Sequence, residues 1–258
     1  MFNFMNGRKR KEEKFLQEQV EGAPLISYFK PKSVYAEQFR TIRTNITFAQ
    51  LDNDLRSILV SSSVPAEGKS TISANVAIAM GAMEKNVLIV DADLRKPTLH
   101  RTFTLNNEKG LTTLLINPSL HFNEVVMKST DLNLYLLPSG PIPPNPAELL
   151  ASGRMTKLMK ELEDFFDVII YDAPPINSVT DPQILASKVD GCVLVVRHGY
   201  AKKDEVRRAK EVLENVNANI LGFVLNAKSN EESDGYGYYS YYGYGQDQNE
   251  GEHKHGDH

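Results

Sequence analysis

The chain has 258 residues, with 29 basic and 33 acidic side chains and a formal net charge of −4 at pH 7. That length suits one well-packed α/β domain with appendages, and the mild negative charge argues against a nucleic-acid binder, which would show a basic face. A single cysteine, Cys192, allows no internal disulfide and points to a reducing compartment.

Residues 1 to about 32 are charged and polar with scattered apolar side chains, and read as a flexible lead-in. Their start has no apolar core of the kind a signal peptide needs, and no apolar run approaches the roughly 20 residues of a membrane span. A soluble, cytoplasmic protein is expected, any membrane role coming through a partner. From residue 33 to about 228, short aliphatic runs alternate with helical patterns. Strands are predicted at Ser57–Val60, Val87–Val90, Leu132–Leu137, Val168–Tyr171, Cys192–Val196 and Ile220–Leu225. Helices are predicted at Thr71–Met83, Pro146–Glu163 and Lys203–Val216. Continuous apolar strands separated by helices imply an α/β fold, a doubly wound, mostly parallel sheet with helices on both faces. Beyond about Ser229 the aliphatic residues vanish. The 229–258 tail, with tyrosines separated by Gly and Ser between Gly235 and Gly245, cannot build a core and is expected to be disordered.

The first strand runs into Ser61-Ser-Ser-Val-Pro-Ala-Glu-Gly-Lys-Ser-Thr71 and then into a helix. Nucleotide phosphates need backbone N–H donors in a concave loop, a helix N-terminus and a cation. Pro65, Ala66, Glu67 and Gly68 would form that loop and Thr71 would follow it. Lys69 would reach the β/γ oxygens of ATP, and Ser70 would ligate Mg²⁺. Ser63 stands where the consensus loop has its first glycine. Two strand ends then carry acids, Asp91 and Asp93 in Val87-Leu-Ile-Val-Asp-Ala-Asp93 and Asp172 in Val168-Ile-Ile-Tyr-Asp172. Ligands of open α/β sheets bind beyond the carboxyl ends of strands, and carboxylates beside a phosphate loop suit Mg²⁺. The spacing of Asp91 and Asp93 places both on one side of an extended segment. Arg95 and Lys96 read equally well as phosphate-neutralising or as solvated.

Together the loop Ser61–Thr71, the motif Val-Asp-Ala-Asp-Leu-Arg-Lys-Pro97 and the ending Tyr-Asp-Ala-Pro-Pro175 resemble the bacterial protein-tyrosine kinases, P-loop enzymes unrelated in fold to eukaryotic kinases. The likeness extends over most of residues 33–245, taking in Pro138–Leu150 and the tyrosine-rich tail. It is strongest to the separate kinase subunits of Gram-positive bacteria. The broader partitioning ATPases usually carry a second lysine early in the loop; residues 61–64 are Ser-Ser-Ser-Val.

The resemblance implies an ATP- and Mg²⁺-dependent autokinase, with Lys69, Asp91, Asp93 and Asp172 catalytic and Ser70, Asp93 and Asp172 serving the metal. Asp91 is the candidate acceptor of the tyrosine proton. Tyr236, Tyr238, Tyr239, Tyr241, Tyr242 and Tyr244 become the phosphoacceptors, modified in trans. Glu37, Arg40 and Arg43 match an oligomerisation motif that closes a ring, an intrahelical ion pair being the other reading. Asn226 resembles an adenine-contacting asparagine, or else caps a strand end. A membrane adaptor as activator, a tyrosine phosphatase reversing the modification, recruitment to the inner membrane face and control of capsule or exopolysaccharide synthesis are implied likewise. A non-kinase P-loop ATPase switch is the alternative.

Overall fold

A computed structural model describes residues 22–51, 55–83 and 85–227. The chain divides into a unit spanning residues 1–226 and a second spanning residues 227–258. The tail expected to be disordered, the six tyrosines expected to accept phosphate and lead-in residues 1–21 lie outside the described residues.

The helices are α1 (Ile26–Phe29), α2 (Val34–Leu51), α3 (Lys69–Gly81), α4 (Leu99–Thr102), α5 (Leu111–Ile116), α6 (Pro146–Ala151), α7 (Gly153–Glu163), α8 (Asp181–Ala186) and α9 (Lys203–Asn215). The strands are β1 (Ser57–Ser62), β2 (Val87–Asp91), β3 (Met127–Lys128), β4 (Leu134–Leu137), β5 (Val168–Asp172), β6 (Gly191–Arg197) and β7 (Ile220–Asn226). They form one sheet in the order β3-β4-β2-β5-β1-β6-β7. Every pairing is parallel except β3 with β4.

Side chains alternate between sheet faces, which sorts the core into two halves. Leu59, Leu88, Val90, Ile169, Tyr171 and Leu194 meet α5 to α9. Their neighbours Ile58, Val60, Val87, Ile89, Ile170 and Val195 meet α1 to α3. Strands covered on both faces must be apolar throughout, and β1, β2 and β5 are buried at every position. The central loops after β1, β2 and β5 are thereby brought side by side.

Three features differ from the sequence reading. The fold begins before residue 33: Leu25 is buried, the Ser27 amide donates to Asn75 Oδ1 at 2.8 Å, and Asn75 Nδ2 donates to the Pro24 carbonyl at 2.7 Å. The 146–163 helix is two helices, because Ser152 leaves helical geometry (ψ 153°) and caps α7, accepting the Met155 amide at 3.2 Å. The two-residue β3 pairs antiparallel with β4 and gave no run long enough to be read as a strand.

Candidate active site

The loop after β1 turns with left-handed backbone at Ala66 (φ 64°) and Gly68 (φ 90°) and delivers Lys69 as the first residue of α3. A Cβ on Gly68 would lie 2.3 Å from Asn226 Nδ2. Glycine is therefore required there both for conformation and for space.

The loop is held from below by a carboxylate. Glu67, 1% exposed, accepts Ser63 Oγ at 2.7 Å and the Val64 amide at 2.8 Å on one oxygen, and the Arg197 amide at 3.0 Å on the other. Asn226 Nδ2 donates to the Glu67 carbonyl at 2.9 Å. The side chain of Glu67, expected among the cofactor-binding residues, thus faces inward as a strut, its backbone alone belonging to the cradle. Asn226 braces the same loop from the end of β7.

Lys69 projects into a cluster of acids. Its Nζ lies 3.0 Å from Asp93 Oδ2 and 3.5 Å from Asp172 Oδ2, and donates to Ser70 Oγ at 3.2 Å. Burial disfavours the ammonium, but Asp172 and Asp93 outweigh it and hold the lysine pKa above its ordinary value. Asp172, fully buried, accepts Ser70 Oγ at 2.6 Å and Ser73 Oγ at 3.0 Å. Burial pushes its pKa up against the pull of Lys69 and the hydroxyls. Ser73 went unnoticed in the sequence, although it sits four residues after Lys69 on the same helix face.

Asp91 and Asp93 part company. Strand β2 ends at Asp91, so the extended-segment geometry expected to align them stops there. Asp91 is fully buried, and its Oδ2 accepts the amides of Thr98 and Leu99 at 3.1 and 2.9 Å. Its Oδ1 has no hydrogen-bond partner, and burial, with Asp172 alongside, raises its pKa to about 8. Asp93 accepts the Lys96 amide at 3.0 Å and opens onto a cavity of about 480 Å³. Pro65, Ala66, Gly68, Lys69, Ser70 and Thr71 line that cavity from the loop; Arg95, Lys96, Pro174 and Pro175 close its other side. The Arg95 guanidinium is gripped bidentately by buried Asp181 at 2.8 and 2.9 Å, a partner the sequence did not suggest.

Ser70, Asp93 and Asp172 offer only oxygen, the donor chemistry Mg²⁺ prefers. Among the described residues no three His, Cys, Asp or Glu side chains form a complete protein cage. Mg²⁺ draws most of its ligands from phosphate and water, so the donor set fits it.

On α2, Arg40 pairs with Glu37 and also donates to the Pro31 carbonyl. Arg43 Nη1 donates to the Ala79 carbonyl at 3.2 Å. Within one copy the motif is therefore self-satisfied in part, while Val34 and Tyr35 beside it are 71% and 60% exposed. Among the described residues no helix is long and apolar enough to cross a membrane.

Residues 55–255 match the ParA family, described as NUBPL iron-transfer P-loop NTPase, which is a nucleotide-binding fold. The chain is 45% identical over 212 residues to the tyrosine-protein kinase YwqD of Bacillus subtilis, covering 82% of this chain and 89% of that protein. It is 41% identical over 214 residues to the putative tyrosine-protein kinase CapB of Staphylococcus aureus, covering 83% and 93% respectively. Among solved structures, the chimerical protein CapA2B2 superposes with a TM-score of 0.75 at 42% identity, covering 78% of this chain and 88% of that one.

Proposed function

Because this chain belongs to the bacterial tyrosine-protein kinase family of P-loop enzymes, we propose that it uses ATP and Mg²⁺ to phosphorylate its own tyrosine cluster, Tyr236 to Tyr244, in trans. The observation that carries the site is the Lys69 ammonium, set at the start of α3 and 3.0 Å from a carboxylate on the cavity wall.

Phosphoryl transfer rests on positioning and charge neutralisation more than on covalent help. The amides of residues 66–71 and the N-terminus of α3 cradle the phosphates, and Lys69 swings from Asp93 to the β/γ oxygens. Ser70, Asp93 and Asp172 would hold Mg²⁺, which would supply further neutralisation of phosphate charge. The tyrosine Oη forms its bond to the γ-phosphorus as the bond to the β–γ bridging oxygen breaks, and ADP leaves. The phenolic proton passes to Asp91 at the end of β2, whose pKa of about 8 leaves a fraction ionised near neutral pH to accept it. There Asp91 offers an oxygen with no partner. The 92–98 segment covering it must shift before a phenol can touch it, whereas Asp93 is already open to the cavity.

The iron-transfer part of the family description does not carry over. Iron–sulfur centres are held by cysteine thiolates, and the single cysteine, Cys192, is buried in β6. The partitioning-type switch is less supported than the kinase reading, since the relatives at 45% and 41% identity are named tyrosine-protein kinases.

On the same reading Arg40, Arg43 and the exposed Val34 and Tyr35 meet a neighbouring copy in a ring, heterologous contacts closing it. A membrane adaptor recruits and activates the kinase at the inner membrane face, a tyrosine phosphatase reverses it, and capsule or exopolysaccharide synthesis is the process controlled. The test is incubation with labelled ATP, followed by phosphoamino-acid analysis and mass spectrometry of the tail. Phosphotyrosine at 236–244 in the wild type, and in a Lys69→Met chain mixed with an active tail-deleted chain, is expected. ATP hydrolysis without phosphotyrosine would replace the kinase by the switch.

A further inference from the structure

A second cleft opens beside the nucleotide cavity. It encloses about 540 Å³ between the 95–101 segment on one side and Asn107 with Gly140 to Ile142 on the other. It shares Arg95, Lys96 and Thr98 with the catalytic cavity, so one extended ligand can lie across both.

Its walls are built in advance. The Asn107 side chain pairs with the Gly140 backbone as a strand would: Nδ2 donates to the carbonyl at 3.0 Å and Oδ1 accepts the amide at 2.8 Å. The Leu111 amide donates to the Pro138 carbonyl at 2.8 Å, and a Cβ on Gly110 would fall 2.1 Å from the Gly140 nitrogen. Backbone lies directly on backbone, which leaves this wall little room to give.

The charge on the opposite wall is one-sided. Arg95 is neutralised by Asp181. His100 is held below its ordinary pKa by burial and by Arg101, and carries little charge at neutral pH. Among the described residues, the Lys96 ammonium and the Arg101 guanidinium have no acidic partner. Ile142, 63% exposed, adds an apolar shelf.

One segment of the chain matches this chemistry. Residues 231–247 contain Glu231, Glu232, Asp234 and Asp247, six tyrosines and no basic residue. We propose that the cleft is the acceptor-selecting subsite of the kinase, in which Lys96 and Arg101 take the carboxylates flanking the tyrosine cluster of a second copy. An extended chain advances about 3.3 Å per residue. With Tyr236 at the γ-phosphate, Asp234 lies about 7 Å away and Glu231 about 17 Å away, over the second cleft. The inference rests on the kinase reading and adds to it the substrate class, a tyrosine peptide with acidic neighbours.

The test uses the full chain and two fluorescein-labelled peptides of residues 231–247, one native and one carrying Glu231→Gln, Glu232→Gln, Asp234→Asn and Asp247→Asn. Anisotropy without ATP reads binding alone; phosphate incorporation reads KM. The wild type should bind the native peptide five- to tenfold more tightly, with a KM lower to match, and the preference should shrink with salt. Arg101→Glu should erase the preference while leaving ATP affinity unchanged. Arg208→Glu, outside the cleft, should leave it intact. Equal wild-type affinity for both peptides, or equal damage from Arg101→Glu and Arg208→Glu, overturns the subsite whatever the catalytic result. Selective binding without any transfer to tyrosine would instead count against the kinase reading.

Discussion

Removing the charge of Lys69 strips the ammonium from among three converging carboxylates, so Lys69→Met bears on stability as well as on catalysis. In the folded chain the Lys69 side chain is 13% exposed, its ammonium 3.0 Å from Asp93 and 3.5 Å from Asp172. Taking one partner from a buried ion pair costs about 3–5 kcal/mol, since the other charge stays behind. Asp172 keeps the hydroxyls of Ser70 and Ser73, so the lower end, about 3 kcal/mol, applies. At about 2–4 °C per kcal/mol for a domain of this size, Tm should fall by roughly 6–12 °C at pH 8. Because the lysine pKa is raised, its contribution is complete below the unfolded value of about 10.4 and lost only on going above the folded one. Between pH 5 and 8 the wild-type ammonium is constant, and the deficit follows the carboxylates. Burial holds the pKa values of Asp91 and Asp172 above the usual carboxylate range, so these two protonate as pH falls and the deficit should shrink toward pH 5. Mg²⁺ at millimolar concentration should restore part of it at pH 8. Differential scanning calorimetry at both pH values, with and without Mg²⁺, provides the measurement. An unchanged Tm at pH 8 would mean that the ammonium does not sit among the carboxylates, and the site would have to be rebuilt.

Asp91→Asn should raise the pH 8 Tm of the nucleotide-free protein by several degrees, because the raised Asp91 pKa of about 8 makes the wild type lose stability as pH climbs from about 4 to 8. The same change should lower transfer at least 100-fold with ATP affinity kept; unaltered transfer would reduce Asp91 to a cap on α4. Gly68→Ala must place a Cβ 2.3 Å from Asn226 Nδ2 at φ 90°, and should weaken ATP binding by tenfold or more in titration calorimetry while far-UV circular dichroism stays native. Arg40→Ala with Arg43→Ala should give a folded monomer by light scattering. Losing the bond from Arg43 to the Ala79 carbonyl should lower its Tm by only a few degrees.

What could be read from the sequence followed from local chemistry. The buried strands announce themselves because cover on both faces demands unbroken aliphatic runs, as in Leu88-Ile-Val90. Lys69 and Ser70 are legible because a phosphate cradle needs its lysine and hydroxyl at fixed offsets from a glycine. What could not be read depends on partners far along the chain. Pro24 and Ser27 are held by Asn75, some fifty residues on, and no pattern within residues 22–32 records that. Glu67 looks like a loop residue available to ligand, and only the closeness of Arg197 and Asn226 turns it inward. Asp91 and Asp93 look equivalent until the strand ends between them. The break at Ser152 was legible in principle, Ser followed by Gly being a cap signal within an otherwise continuous helical pattern.

The strut beneath the phosphate loop also bears on the order in which the protein can be made. A ribosome releases the loop at residues 63–68 early, yet the Glu67 carboxylate takes its third bond from Arg197 and its carbonyl is braced by Asn226. Strand β1 itself is flanked by β5 and β6, each more than a hundred residues downstream. Contacts of such separation form late. A nascent chain that has emerged only as far as β5 therefore has Lys69 and its carboxylates but no finished cradle. The braces on the phosphate loop are complete only with β7, so synthesis withholds the finished cradle until the tyrosine-rich segment is about to emerge.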